Sequence, residues 1–316
     1  MWLSSHGHAS LRLDPPVLMG VINATPDSFS DGGRLAAPQA AAAAGLAMAR
    51  AGASVLDVGG ESTRPGAEPV NAKEQVRRVV PVIVAVRGAL DAAGVEGVWI
   101  SVDTRLAEVA AAALDAGAAM VNDVSAVRDD PELLPLVAER GAAVCLMHMQ
   151  GDPATMQQQP TYGDVVEEVA GFLAERVQAA ERAGVQRDRI VIDPGIGFGK
   201  TLEHNLALLA GIPRLAAAGL PVLIGASRKR FIAAIDPEHG RTPADREPGT
   251  IAVTLHAAAA GASLVRVHDV PANAQALRVA TALAHGHAHR HADHADLADP
   301  DDHDKHGNHA GPRRGG

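Results

Sequence analysis

Polar and ionisable residues stand at the end of every short apolar run in this chain. Asn23 follows the run 17–22, Asp57 lies in the run that opens into Gly59-Gly60-Glu61-Ser62-Thr63-Arg64-Pro65-Gly66, and Asp103 closes the run from 98. Asn122 with Asp123, His148, Asp193, the triplet Ser227-Arg228-Lys229, and Arg266 with His268 complete the series. Asp103, Asn122 and Asp193 offer acceptors and an amide to a neutral heterocycle that carries several N–H donors, whereas Arg64, Lys229, Arg266 and His268 suit a polyanion. A ligand with both parts is implied. Any one of these positions also reads as a helix cap or a satisfied buried polar group. Their recurrence after successive apolar runs, aimed at one mouth, marks a site.

Two phosphate motifs nearly match and fail. Gly195-Ile196-Gly197-Phe198-Gly199-Lys200-Thr201 has Pro194 where a Walker A loop needs its leading glycine, and it does not fit G-x-G-x-x-G. Neither a P-loop NTPase nor a dinucleotide enzyme is supported.

The elements that must position these groups alternate regularly. Apolar runs of β type fall at 17–22, 54–58, 98–102, 119–121, 143–147, 189–192, 221–224 and 263–267. Helical stretches are predicted at 38–51, 72–93, 105–116, 131–139, 164–183, 203–218 and 249–260, with 271–284 after the last run. Gly52, Gly94, Gly117, Gly184, Gly219 and Gly261 fit helix stops. Continuous apolar runs suit parallel strands covered by helices. The pattern predicts an α/β fold, a single (β/α)8 TIM barrel over 15–284, with a doubly wound open sheet as the alternative that periodicity leaves open. Residues 1–14 read as an N-terminal extension. From His285 the composition turns to Gly, Ala, Asp and His, and 285–316 read as a disordered His-rich tail with adventitious metal affinity, because they lack the apolar residues that offset ordering entropy.

Composition narrows the function. A chain of 316 residues with 47% hydrophobic and 21% charged residues can bury a sizeable core. A net charge of -9, with 2% aromatic residues, provides neither attraction for a phosphate backbone nor platforms for bases, so no nucleic acid or membrane partner is expected. Cys145 is the only cysteine, within an apolar run, and reads as a buried thiol in a reducing compartment. No cationic segment followed by an apolar stretch opens the chain, and a cytoplasmic location is expected.

At these residues the chain resembles the dihydropteroate synthases of folate biosynthesis. The resemblance rests on 19–33 (Met19-Gly20-Val21-Ile22-Asn23 through Asp31-Gly32-Gly33), on 57–66, and on Ser101-Val102-Asp103-Thr104, Asn122-Asp123-Val124-Ser125 and Met147-His148-Met149-Gln150-Gly151. Asp193-Pro194-Gly195-Ile196-Gly197-Phe198, 225–231 and Arg266-Val267-His268-Asp269 follow in the family's order. Ala24 stands where the family leads one to expect Val.

The resemblance implies condensation of a 7,8-dihydropterin-6-ylmethyl diphosphate with p-aminobenzoate, giving dihydropteroate and pyrophosphate. Asp193, Asp103 and Asn122 would bind the pterin edge, with Met147 and Phe198 against its faces. Mg2+ held through Asn23, with Arg64, Arg266 and His268, would stabilise the departing pyrophosphate. Lys229 would contact the pterin carbonyl and border the aminobenzoate, Ser227 would bind its carboxylate at a helix start, and Thr63, Phe29 and Pro65 would complete the substrate pocket. The loops 24–33 and 62–66 would close over the mouth, and the enzyme would be a homodimer. A pterin-binding paralogue without synthase activity, and a methyltransferase domain passing a methyl group from a folate to a corrinoid, share much of the pterin set.

Overall fold

The apolar runs become parallel strands in the computed structural model, which describes residues 1–24, 33–62, 68–151 and 155–295 with Gly315, and only the backbone of 33–37 and 285–295. Eight strands form one sheet: Val17–Asn23 (β3), Ala53–Gly59 (β4), Trp99–Asp103 (β5), Met120–Asp123 (β6), Ala143–Met147 (β7), Ile190–Asp193 (β8), Leu223–Ile224 (β9) and Leu264–Val267 (β10). The order β8-β7-β6-β5-β4-β3-β10-β9 is closed by a parallel bridge between Ile192 and Val222, where Ile192 N–H also donates to the Pro221 carbonyl at 2.9 Å. This is the (β/α)8 barrel, and the open sheet is excluded.

The chain alternates strand with helix: Gly33–Ala51 (α1), Ala72–Ala92 (α2), Ala107–Asp115 (α3), Leu133–Arg140 (α4), Val165–Arg182 (α5), Leu202–Ala210 (α6), Ile212–Ala216 (α7), Arg230–Ile235 (α8), Glu247–Ala259 (α9) and Val270–Ala295 (α10). Local chemistry sets their ends. Asn71 and Asp164 cap α2 and α5 by accepting backbone N–H groups of the first turn. The single helix expected over 203–218 is two, divided at Gly211 with Pro213 in the first turn of α7, where a missing N–H costs nothing. The six-residue α8 is absent from the expected helices because six residues carry too little periodicity. Residues 1–277 form one compact unit; 278–316 form another, whose described part is the continuation of α10 through the expected boundary at 285 as far as Ala295.

Side chains on alternate strand positions separate two apolar regions. Leu18, Ile22, Leu56, Val58, Ile100, Val102, Val121, Val144, Leu146, Ile192, Val265 and Val267 pack outward against the helices. Met19, Val55, Trp99, Met120, Ala143, Cys145, Val191, Leu223 and Leu264 fill the barrel interior. Leu3, Leu11 and Leu13 join that interior cluster. They come from the stretch read as an extension, which is instead a hairpin of Trp2–Leu3 (β1) and Leu11–Arg12 (β2) seated on the barrel floor. Trp99 Nε1 donates to the Ala9 carbonyl at 2.8 Å, and Ser5 Oγ donates to the Ala119 carbonyl at 2.7 Å. The hairpin covers the N-terminal end, opposite the end where the strands finish in polar residues.

Candidate active site

Strand positions that point inward change from apolar at the floor to polar at the C-terminal end, and there Arg266 organises the mouth. Its Nε donates to Asp57 Oδ2 at 2.7 Å and its Nη2 to Asp103 Oδ2 at 3.1 Å. Asn122 Nδ2 donates to the same Asp57 oxygen at 3.1 Å. Asp193 Oδ1 accepts the Gly195 N–H at 2.7 Å. A Cβ added at Gly225 would sit 3.9 Å from both Asp193 Oδ2 and Arg266 Cβ, so glycine leaves open the space between them.

Lys229 is carried in by a strained turn. Arg228 has φ of 60°, a left-handed conformation that a non-glycine residue adopts at a cost. It is held by Thr250 Oγ1, which accepts its N–H at 3.0 Å, and by Glu247, which accepts from its Nε at 2.9 Å. With Arg228 turned towards α9, Lys229 reaches the mouth, where Nζ donates to the Ile196 carbonyl and lies 4.4 Å from the Phe198 ring centroid.

Burial sets the proton affinities. Asp103 is pushed up to about 7 by burial and by the neighbouring Asp57 carboxylate, against the pull of Arg266. Burial also raises Asp193, opposed by Lys229, and lowers Lys229 to about 8. Carboxylic acid and amine are thus both brought towards neutrality, which suits groups that hydrogen-bond a heterocycle in a dry site.

The structure therefore brings together Asp103, Asn122, Asp193, Lys229 and Arg266. Met147 and Phe198 share an apolar patch with Val124, Met149 and Met156 beside them. Ser227 Oγ lies 2.9 Å from His268 Nδ1 and accepts the His268 N–H at 3.3 Å. Ser227 stands ahead of α8, a helix of only six residues, so its hydroxyl is engaged by the histidine rather than set at an extended helix start. Asn23 is exposed at the end of β3, next to Ala24, whose N–H donates to the Gly59 carbonyl at 2.8 Å. Phe29, Thr63, Arg64 and Pro65 lie outside the described residues, as do most of the loops 24–33 and 62–66. Glu61 holds the base of the second of these, accepting the Val70 N–H at 2.8 Å while Arg105 donates to its other oxygen at 3.1 Å.

Sequence reasoning reads Arg266 only as a polyanion binder, but two of its donors are committed to carboxylates, because a guanidinium in this mouth needs compensating charge. Asp57 is named there only as a strand end. It is fully buried and anchors both Arg266 and Asn122; its place two residues before Gly59-Gly60 on an inward-facing register was the available signal. Lys200, dismissed with the failed phosphate motif, is buried beside His148, with Nζ 3.0 Å from His148 Nδ1. His148 accordingly turns away from the ligand side, its ring edge-on to Phe172 at 4.8 Å.

Residues 19–268 match the family described as pterin binding enzyme, and the chain belongs to it. Within that family it belongs with the dihydropteroate synthases. It is 46% identical over 266 residues to the dihydropteroate synthase of Synechocystis sp., covering 84% of this chain and 89% of the relative. The dihydropteroate synthase of Xanthomonas albilineans solved with 4-aminobenzoic acid superposes with a TM-score of 0.81 at 48% identity, covering 89% of this chain and 97% of that one. The same organism's enzyme in complex with 7,8-dihydropteroate gives 0.79 at 45% identity, with 90% and 98% covered.

Proposed function

We propose that the chain is a transferase that joins a 7,8-dihydropterin-6-ylmethyl diphosphate to p-aminobenzoate, releasing pyrophosphate and forming 7,8-dihydropteroate. The observation that carries this reading is the set of buried Asn122 and Asp193 with half-buried Asp103 and Lys229 around the Arg266 ion pairs, at the polar end of a pterin-binding barrel. The complexes of the related enzymes with 4-aminobenzoic acid and with 7,8-dihydropteroate agree with it.

Asp193 accepts two N–H groups from the 2-amino-pyrimidinone edge, and Asp103 and Asn122 satisfy the remaining edge. Lys229, held over Phe198, donates to the pterin carbonyl and borders the p-aminobenzoate, whose carboxylate meets Ser227. Met147 and Phe198 flank the ring. Thr63, Phe29 and Pro65 belong to the same pocket by resemblance.

The C–O bond to the diphosphate breaks first, its electron pair leaving with the oxygen, and the positive charge spreads over the pterin. The arylamine nitrogen then bonds to the methylene carbon and loses a proton. A carbon this electrophilic needs no strong base, which suits a site whose carboxylates and lysine serve binding. Arg266, from its anchorage on Asp57 and Asp103, and His268 meet the departing diphosphate, and by resemblance Arg64 would join them.

Asn23 would hold Mg2+. It offers one neutral amide oxygen at the rim, and among the described residues no three His, Cys, Asp or Glu side chains converge as a cage. That donor set fits an ion that keeps water and substrate phosphate oxygens as its main ligands. When bound, Mg2+ supplies charge that neutralises the diphosphate. No described helix is long and apolar enough to cross a membrane, and the reading places a homodimer in the cytoplasm.

The test is pyrophosphate release followed with each substrate alone and with both. Release only with both, together with formation of dihydropteroate, supports the assignment. No release, or release that ignores p-aminobenzoate, overturns it.

A further inference from the structure

The proposed reaction leaves one buried cation unused. Lys200 is 3% exposed, and among the described residues its ammonium hydrogen-bonds neutral acceptors: the Phe198 carbonyl at 2.8 Å, His148 Nδ1 at 3.0 Å and the His148 carbonyl at 3.4 Å. A buried ammonium without an ion pair is costly, and an apolar side chain of similar length would fill the same volume without that cost. What it holds is specific. His148 is fixed by its N–H to the Asp193 carbonyl at 2.9 Å and by the edge-on Phe172 ring. Phe198 belongs to loop 195–199, whose other side receives Lys229 through the Ile196 carbonyl and the Phe198 ring. The loop is thus clasped between two ammonium groups. Gly195 and Gly199 let it lie directly on 148–150, since a Cβ at either would run into backbone there.

We propose that Lys200 is a positioning residue for Lys229: it fixes loop 195–199 in the placement that seats the Lys229 ammonium. The effect on turnover rests on the synthase reading, while the coupling between the two lysines does not. Lys200 faces Asp193, Lys229 and His148; Lys229 faces Asp193, Arg266 and Asp103. Both amines titrate low, Lys200 at about 7 and Lys229 at about 8, for burial above all.

The chain has four lysines, Lys73, Lys200, Lys229 and Lys305, so lysine-selective isotope labelling gives four side-chain NMR titrations. In Lys200→Met the Lys229 midpoint should rise towards the ordinary lysine value, because a loosened loop 195–199 relieves the burial that holds it down, and kcat per folded enzyme should fall about tenfold. A lower melting temperature with an unmoved Lys229 midpoint and unchanged kcat would make Lys200 a stability staple only and overturn the proposal. If Lys200→Met does not fold, two measurements remain. Lys229→Met should raise the Lys200 midpoint, because the neighbouring positive charge that lowers it is gone, and saturating the wild type with dihydropteroate should shift the Lys200 signal; an unmoved Lys200 in both overturns the proposal. A wild type that releases no pyrophosphate defeats the synthase reading, yet leaves the lysine titrations to decide the coupling.

Discussion

Replacing Asp193 with asparagine isolates the charge that is assigned to the pterin edge. One carboxylate oxygen already accepts the Gly195 N–H at 2.7 Å. In the variant the amide carbonyl must take over that bond, since only an acceptor satisfies a backbone donor. The new NH2 group then occupies the place of the second oxygen and faces the N–H donors of the pterin. One or two charge-assisted hydrogen bonds are lost and two donors confront each other in a dry site, a penalty of about 3 to 4 kcal/mol. Affinity for a 7,8-dihydropterin lacking the diphosphate should fall roughly 100- to 1000-fold, measured by titration calorimetry. The pH profile provides a second check. Burial raises the Asp193 carboxyl, so wild-type affinity should increase with pH as the group ionises, and the variant should lose that rise. Thermal melting controls for folding. Binding within about threefold of wild type, or an unchanged pH profile, would refute the assignment of the pterin edge to Asp193.

Other perturbations probe the scaffold around it. Asp103 has its carboxyl raised from 3.8 to about 7 by burial and Asp57, so the folded state holds the proton more tightly than the unfolded one. Its contribution to stability is present at low pH and is lost as pH rises from about 4 to 7. Asp103→Asn should therefore gain in melting temperature relative to wild type across that interval, by roughly 5 °C, and the gap should be flat above it; a pH-independent gap contradicts the cause given. Gly195→Ala places a Cβ against the His148 carbonyl at a φ of 67°, and urea unfolding should show a loss on the order of 3 kcal/mol with pterin affinity reduced. Near-normal stability would mean that the loop does not lie on His148. Leu3→Ala removes a fully buried side chain of the floor hairpin and should cost about 2 to 5 kcal/mol, with kcat of the folded fraction unchanged. A cost under about 1 kcal/mol would show that the hairpin does not cover the barrel floor.

Legibility followed the range of the interaction. Strand runs and most helices are decided by local periodicity, caps and glycine stops, and the eight strand-helix units stand in the chain much as they read from it. The inward carboxylates and amide were legible for the same reason, since the residue at a strand's end is placed by the strand itself. Exceptions arose where local signal was too short or ambiguous: α8 has six residues, and Gly211 and Pro213 divide a stretch that is otherwise helical in composition.

Contacts between distant segments were decided only by closure of the sheet. Arg266 meets Asp57 across 209 positions of chain, and no local pattern tells whether an arginine after an apolar run will face a phosphate or two carboxylates. Leu3, Leu11 and Leu13 look like ordinary residues of a short N-terminal extension until the barrel offers an open apolar floor. Lys200 reads as part of a failed phosphate loop until Gly195 and Gly199 bring its ammonium against His148 and Phe198. The sequence by itself determined which groups stand at the strand ends, because backbone hydrogen bonding and side-chain alternation are local. The tertiary structure alone decided which of those groups pair, because burial forces a charge to find whatever partner the closed barrel sets beside it.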